Sequence, residues 1–128
     1  MGSSYCDRHR ASPQSSVLGQ YELSAHDNSG QLVFTGTISL TSLEQNHLKG
    51  QCTIVREKNA PEGLRDESAG CGGMMDGKMV TIDSAPSLDD AGLLFEGQFN
   101  DDRITGIWRV EGFATSPPLG KFEAVKKR

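Results

Sequence analysis

The fold is decided by Phe95-Glu96-Gly97-Gln98-Phe99 and, across Asn100-Asp101-Asp102-Arg103, Ile104-Thr105-Gly106-Ile107-Trp108. Each run sets an apolar residue, a glycine and a second apolar residue at every other place. Phe34-Thr35-Gly36-Thr37-Ile38 and Leu48-Lys49-Gly50-Gln51-Cys52 repeat the pattern, and Gly19-Gln20-Tyr21 is a half copy. Side chains alternate faces along a strand, so each run directs its apolar pair and its glycine to one face and mostly polar residues to the other. That is the signature of half-buried antiparallel sheet. A glycine in the inward row leaves room for a facing aromatic and lets the strand bend sharply, as strands closing into a small barrel must.

The chain has 128 residues, enough for one domain with one core, and 15 glycines with hydrophobic residues spread in alternation argue for an all-β fold. The net charge is -4, and the basic residues are scattered apart from Lys126-Lys127-Arg128. Without a basic stripe, no nucleic-acid partner is expected. No apolar run is long enough to cross a bilayer as a helix.

Residues 1–16 are almost devoid of apolar side chains and are expected to form a disordered tail ahead of a single domain over 17–128. Eight strands follow, at about 17–27, 31–41, 47–57, 68–75, 78–83, 92–99, 103–111 and 119–126. Asp27-Asn28-Ser29-Gly30 and Asp76-Gly77 are tight-turn signals, and 42–46 is expected as a short polar loop. Short spacing with no crossover helix predicts an eight-stranded antiparallel up-and-down β-barrel, with a two-sheet β-sandwich as the alternative. Successive connections of a meander fall at opposite ends. One end therefore receives the turn at 28–30 and the long loops 58–67, 84–91 and 112–118, while the other receives the short turns and both termini. Binding tends to reside in loops longer than closure requires, which makes the long-loop end the expected mouth.

Expected inward residues include Tyr21, Phe34, Phe95, Phe99, Trp108 and Phe122. The first five are the candidate lining of a ligand pocket, although the same rings could simply fill a small barrel. Arg56, inward by parity but at a strand end near the mouth, could pair with an anionic ligand group or only reach back to water. Cys52 and Cys71 fall in strands joined near Pro61, and a hairpin centred there places them opposite each other for a disulfide; the alternative is two buried thiols in a reducing compartment. No cysteine or histidine pair has zinc-ligand spacing, and the loop carboxylates form no acid–base set, so neither a metal, a cofactor nor catalysis is expected.

The chain resembles the lipocalin and avidin group of eight-stranded barrels, the calycins, and small exported bacterial proteins of that type. Gly19-Gln20-Tyr21 is similar to the group's Gly-x-Trp, with tyrosine in place of tryptophan. Lys126 matches its basic residue after the last strand, and Gly120-Lys121-Phe122-Glu123-Ala124 its closing run. The resemblance implies a non-enzymatic module, exported to the periplasm, cell surface or medium, that binds a small apolar or amphipathic molecule. The alternative is a protein-interaction module, such as a protease inhibitor acting through its N-terminal tail or loops. Bacterial metalloprotease inhibitors resemble this size, barrel and single disulfide. Cys6, a lone cysteine ahead of a polar tether, is a candidate lipid-anchor site that would supply the one contact with a membrane, unless it is an incidental tail residue.

Overall fold

The computed structural model describes residues 17–60, 66–84, 92–110 and 117–127. The sequence forms β1 (Gly19–Asp27), β2 (Leu32–Glu44), β3 (His47–Arg56), β4 (Glu67–Asp76), β5 (Met79–Asp83), β6 (Leu93–Asn100), β7 (Arg103–Val110) and β8 (Gly120–Lys126). Each strand pairs antiparallel with its neighbours in sequence, and β1 pairs with β8, so the sheet is a closed barrel with no free edge. The expected tail with Cys6, and much of the long loops (61–65, 85–91 and 111–116), lie outside the described residues.

The glycines of the four clean runs share one physical role. A Cβ on Gly36 would collide with the carbonyl oxygen of Thr53, on Gly50 with that of Ser39, on Gly97 with that of Thr105, and on Gly106 with that of Glu96. Gly73 against Thr81 and Gly120 against His26 repeat the arrangement. Strand coiling presses the backbone of one strand over the inward position of the next, where only a hydrogen atom fits. Gly97 and Gly106 sit directly opposite each other, so β6 and β7 make this approach from both sides.

Local chemistry sets the turns. The Asp27 carboxylate accepts hydrogen bonds from the Ser29 amide and hydroxyl at 2.9 and 2.8 Å and from the Gln31 amide at 3.0 Å, organising the β1–β2 turn. The Gln31 bond, then the Ser29 hydroxyl, holds this carboxyl below its ordinary value. Gln45-Asn46 and Asp101-Asp102 close two-residue hairpins with positive φ at both positions (51° and 70°; 52° and 63°). These backbones match the twist of the flanking strands, and Asn and Asp tolerate them best after glycine.

Three local expectations are corrected. Residues 42–44 are strand rather than loop: a bulge between Leu40 and Ser42 shifts the register, and Leu43 turns in to pack on the core. Strict alternation from Phe34 predicts Leu32 as the preceding inward residue of β2, but Val33 is buried instead, because the pairing with β1 also shifts between Ala25 and His26. Cys52 and Cys71 are bonded but not opposite: Cys52 faces Ala69 and Cys71 faces Gly50, so the bridge runs diagonally, with Cα atoms 5.8 Å apart. Neither Gly50 nor Ala69 carries a side chain large enough to obstruct that diagonal. The bridge links residues 19 apart, for which chain entropy suggests about 3 kcal/mol of stabilisation.

Two outcomes follow from this packing. Gly36→Ala should lower stability by about 2 kcal/mol or more, since a backbone carbonyl must move, whereas Gly70→Ala should cost nothing or stabilise by about 0.5 kcal/mol. The Gly70 position is exposed and its nearest neighbour would lie 3.8 Å from the new methyl. Denaturant midpoints of the two variants read the contrast, and equal losses would contradict it. Titration of thiols in denaturant without reductant should find one of the three cysteines reactive; three reactive thiols in protein from an oxidising compartment would contradict the bridge.

Candidate functional site

The residues expected to line a pocket separate into two groups. Phe34, Phe95 and Trp108 lie towards the long-loop end and are joined there by Phe122. Tyr21 and Phe99 lie towards the short-turn end, near the first residues of β1 and the last of β6. Trp108 meets Phe34 edge-to-face at 5.0 Å between ring centres, Phe34 meets Phe95 at 6.1 Å, and Phe95 meets Phe122 at 5.1 Å. Edge-to-face contacts place the positive rim of one ring on the negative face of the next and contribute about 0.5–1.5 kcal/mol each beyond burial. Phe34, Phe95, Trp108 and Tyr21 each have 0% exposure. No water-sized space therefore lies against these four rings.

The indole N–H of Trp108 donates to the His26 carbonyl at 2.9 Å. This bond reaches from β7 to β1 over β8, passing Gly120, whose missing Cβ would stand 2.8 Å from the indole nitrogen. The aromatic layer is thereby fastened across the seam at which first and last strands meet. Arg56 ends β3 exposed at the rim, and its amide donates to Asp66 Oδ1 at 2.8 Å.

At the opposite end the chain before β1 folds under the barrel. Val17 is fully buried and its carbonyl accepts a 2.6 Å hydrogen bond from the Tyr21 hydroxyl. Burial, then the nearby Asp102 charge, pushes the Tyr21 phenol well above its ordinary value of 10.0. Lys126 pairs with Tyr21 across β1–β8 and lays its side chain over Gly19, where φ is 146° and a Cβ would come within 2.5 Å of the lysine Cε. The Gly-x-Tyr segment and the last basic strand residue thus form one closure.

Outside the barrel, a groove of about 480 Å³ crosses β8, β1, β2 and β3. Glu22, Ser24, Thr35, Thr37, Thr53 and Val55 project along it. Register explains the hollow. Glu22, Thr37 and Thr53 form one cross-strand row, Ser24, Thr35 and Val55 the next, and most of these side chains are short. The Thr53 and Ser68 hydroxyls, 3.3 Å apart, continue the first row onto β4. Alternation marks these residues as outward in the sequence, but only the register between strands shows that they gather into a depression. Val55, 43% exposed, presents an apolar side chain to the groove.

Among the described residues, no group of three or more His, Cys, Asp or Glu side chains is placed to hold a metal ion. No family model matches the chain, and no curated protein matches it in sequence.

The Tyr21 phenol carries a pH signature. In the unfolded chain it ionises near pH 10.0, while in the folded state it stays protonated to higher pH. Its contribution to stability is therefore complete below pH 10.0 and is lost progressively as pH rises above it. Tyr21→Phe should cost about 1 kcal/mol at neutral pH by removing the bond to Val17, and should show a shallower alkaline loss of stability than the parent. Urea unfolding of both proteins at neutral and strongly alkaline pH measures this, and parallel alkaline slopes would contradict it.

Proposed function

We propose that this protein is a non-enzymatic, calycin-like binding module that recognises another protein through its outer surface, at the groove over β1–β3 and the adjoining long-loop rim, rather than by enclosing a ligand. The observation that carries this reading is the aromatic layer of Phe34, Phe95, Trp108 and Phe122. It occupies the part of the interior nearest the long loops, where a small apolar ligand would have to enter. A filled core supplies rigidity, and a rigid scaffold lowers the ordering cost of docking a partner.

The groove supplies what a polypeptide segment needs. Ser24, Thr35, Thr37 and Thr53 offer hydroxyl donors and acceptors for peptide groups, Val55 an apolar contact, and Glu22 a negative charge at one side. Glu22 also lies 3.6 Å from Lys127, an exposed pairing that a basic partner residue could replace at little cost. Arg56 at the rim adds a cation for a partner carboxylate. A calycin-like kinship is supported by the closed eight-stranded barrel and by the packing of Lys126 on Gly19 beside Tyr21. The Cys52–Cys71 bridge suggests an oxidising, exported setting, and Cys6 would be the point of lipid attachment if the protein is anchored.

The test has two arms. A photo-crosslinking residue in place of Thr35 or Thr53 should capture a partner in the native host, while the same residue in place of Thr105, exposed on the outer side of β7, should not. Fatty acids and fluorescent apolar probes should leave the Trp108 indole resonance unmoved. Saturable binding of such a probe with shifts at Phe34, Phe95 and Trp108 would overturn the proposal in favour of an internal small-ligand site.

A further inference from the structure

The short-turn end of β4 and β5 carries a grouping that neither the core nor the groove uses. Met74 and Met79 are 53% and 52% exposed, whereas Met75 between them in sequence is fully buried in the core. Exposed methionine contributes little to stability, and its thioether is a soft, polarizable donor. Met74 pairs directly with Thr81 and Met79 with Asp76, so the two methionines are diagonal neighbours on the outer face of one hairpin. On the other side of Met74, directly across β3–β4, stands His47, also exposed.

Directly opposed side chains in an antiparallel pair have Cβ atoms about 4.5–5.5 Å apart, and diagonal ones about 7–8 Å, within reach of long side chains. Met74 is thus flanked by an imidazole on one side and a second thioether on the other, each able to converge on a point above it. Gly72, next outward along β4, contributes no side chain, and the exposed Lys49 that faces it from β3 has a long flexible stem whose ammonium extends into solvent. Lys78, in the adjoining turn, donates to Asn100 Oδ1 at 3.1 Å and so leans towards β6. The Asp76 carboxylate beside Met79 adds a favourable negative field for a cation.

We propose that His47, Met74 and Met79 form a surface site for a soft monovalent cation, Cu(I) or Ag(I). Two thioethers and one neutral imidazole suit such ions, whereas hard divalent cations prefer oxygen donors and zinc prefers thiolates and imidazoles. Three ligands from two adjacent hairpin connections are held by the sheet register, so the site needs no folding step to assemble. The site is separate from the groove and does not depend on the reading given above for it.

Ag(I) is the probe, because it shares the ligand preference and does not reduce the Cys52–Cys71 bridge. The chain should carry Cys6→Ser, since a free thiol would compete for the ion. Titration followed by methionine-methyl and imidazole NMR should show one equivalent of Ag(I) moving Met74, Met79 and His47 together, with Met75 and His26 unmoved. Met74→Leu, Met79→Leu and His47→Gln should each weaken binding at least tenfold, with the unchanged Met75 methyl reporting that the core is intact. Unchanged affinity in Met74→Leu, separate stoichiometries for the two methionines, or an ion held by Met1 or His9 instead would overturn the proposal.

Discussion

The structure depends on backbone carbonyls seated where side chains would ordinarily be. At Gly36, Gly50, Gly97 and Gly106 the neighbouring strand's carbonyl occupies the space of a Cβ, so the strands can coil more tightly than any other residue would permit. Tight coiling closes eight strands around a narrow interior, and a narrow interior can be filled by a few large rings. Closure brings β1 to β8, and with it the His26 carbonyl within reach of the Trp108 indole. The same constraint explains why Gly120 faces Trp108: a side chain there would stand in the path of that hydrogen bond.

The Phe34, Phe95 and Trp108 rings are fully buried, and the hollow described on this barrel lies on its outer face. Hydroxyl-bearing residues line a hollow on β1–β3, where rows of short side chains meet in register. The two ends of the barrel are closed differently. Towards the long loops, four aromatic rings meet edge to face, and the exposed Arg56 pairs with Phe34 across β2–β3. Towards the short turns, a buried Val17, the Tyr21 hydroxyl and the Lys126 stem form the floor. Salt bridges on the outer wall, such as Arg109 to Glu96 at 2.9 Å and Arg103 to Glu123, add support without organising the fold.

Much of this architecture was legible in the sequence because strand periodicity and turn chemistry are local. Alternation about Gly97 and Gly106 places two strands and identifies their inward faces, and Asp27-Asn28-Ser29-Gly30 marks a turn without any knowledge of the partner strand. Bulges were not legible. The exchange of Leu32 for Val33 and the extension of β2 through Leu43 arise from pairings with strands remote in sequence. The disulfide pair was identified, but its diagonal geometry depends on a two-residue difference in register that hairpin counting cannot resolve. Tyr21, Phe34, Phe95, Phe99 and Trp108 could be read as inward, yet not divided between the two ends of the barrel by contact. Nor does sequence tell whether inward rings line a space or fill one, since that depends on barrel radius, which the glycine–carbonyl contacts set.

The most direct measurement of that central claim is a xenon titration followed by NMR of the buried methyl and aromatic groups. Xenon enters dry apolar cavities that water leaves empty. A barrel drawn tight on its glycines and filled by its aromatic layer should show no saturable shifts at Ile54, Ile82, Phe34, Phe95 or Trp108. Saturable shifts converging on those residues would reveal an open interior and contradict the account.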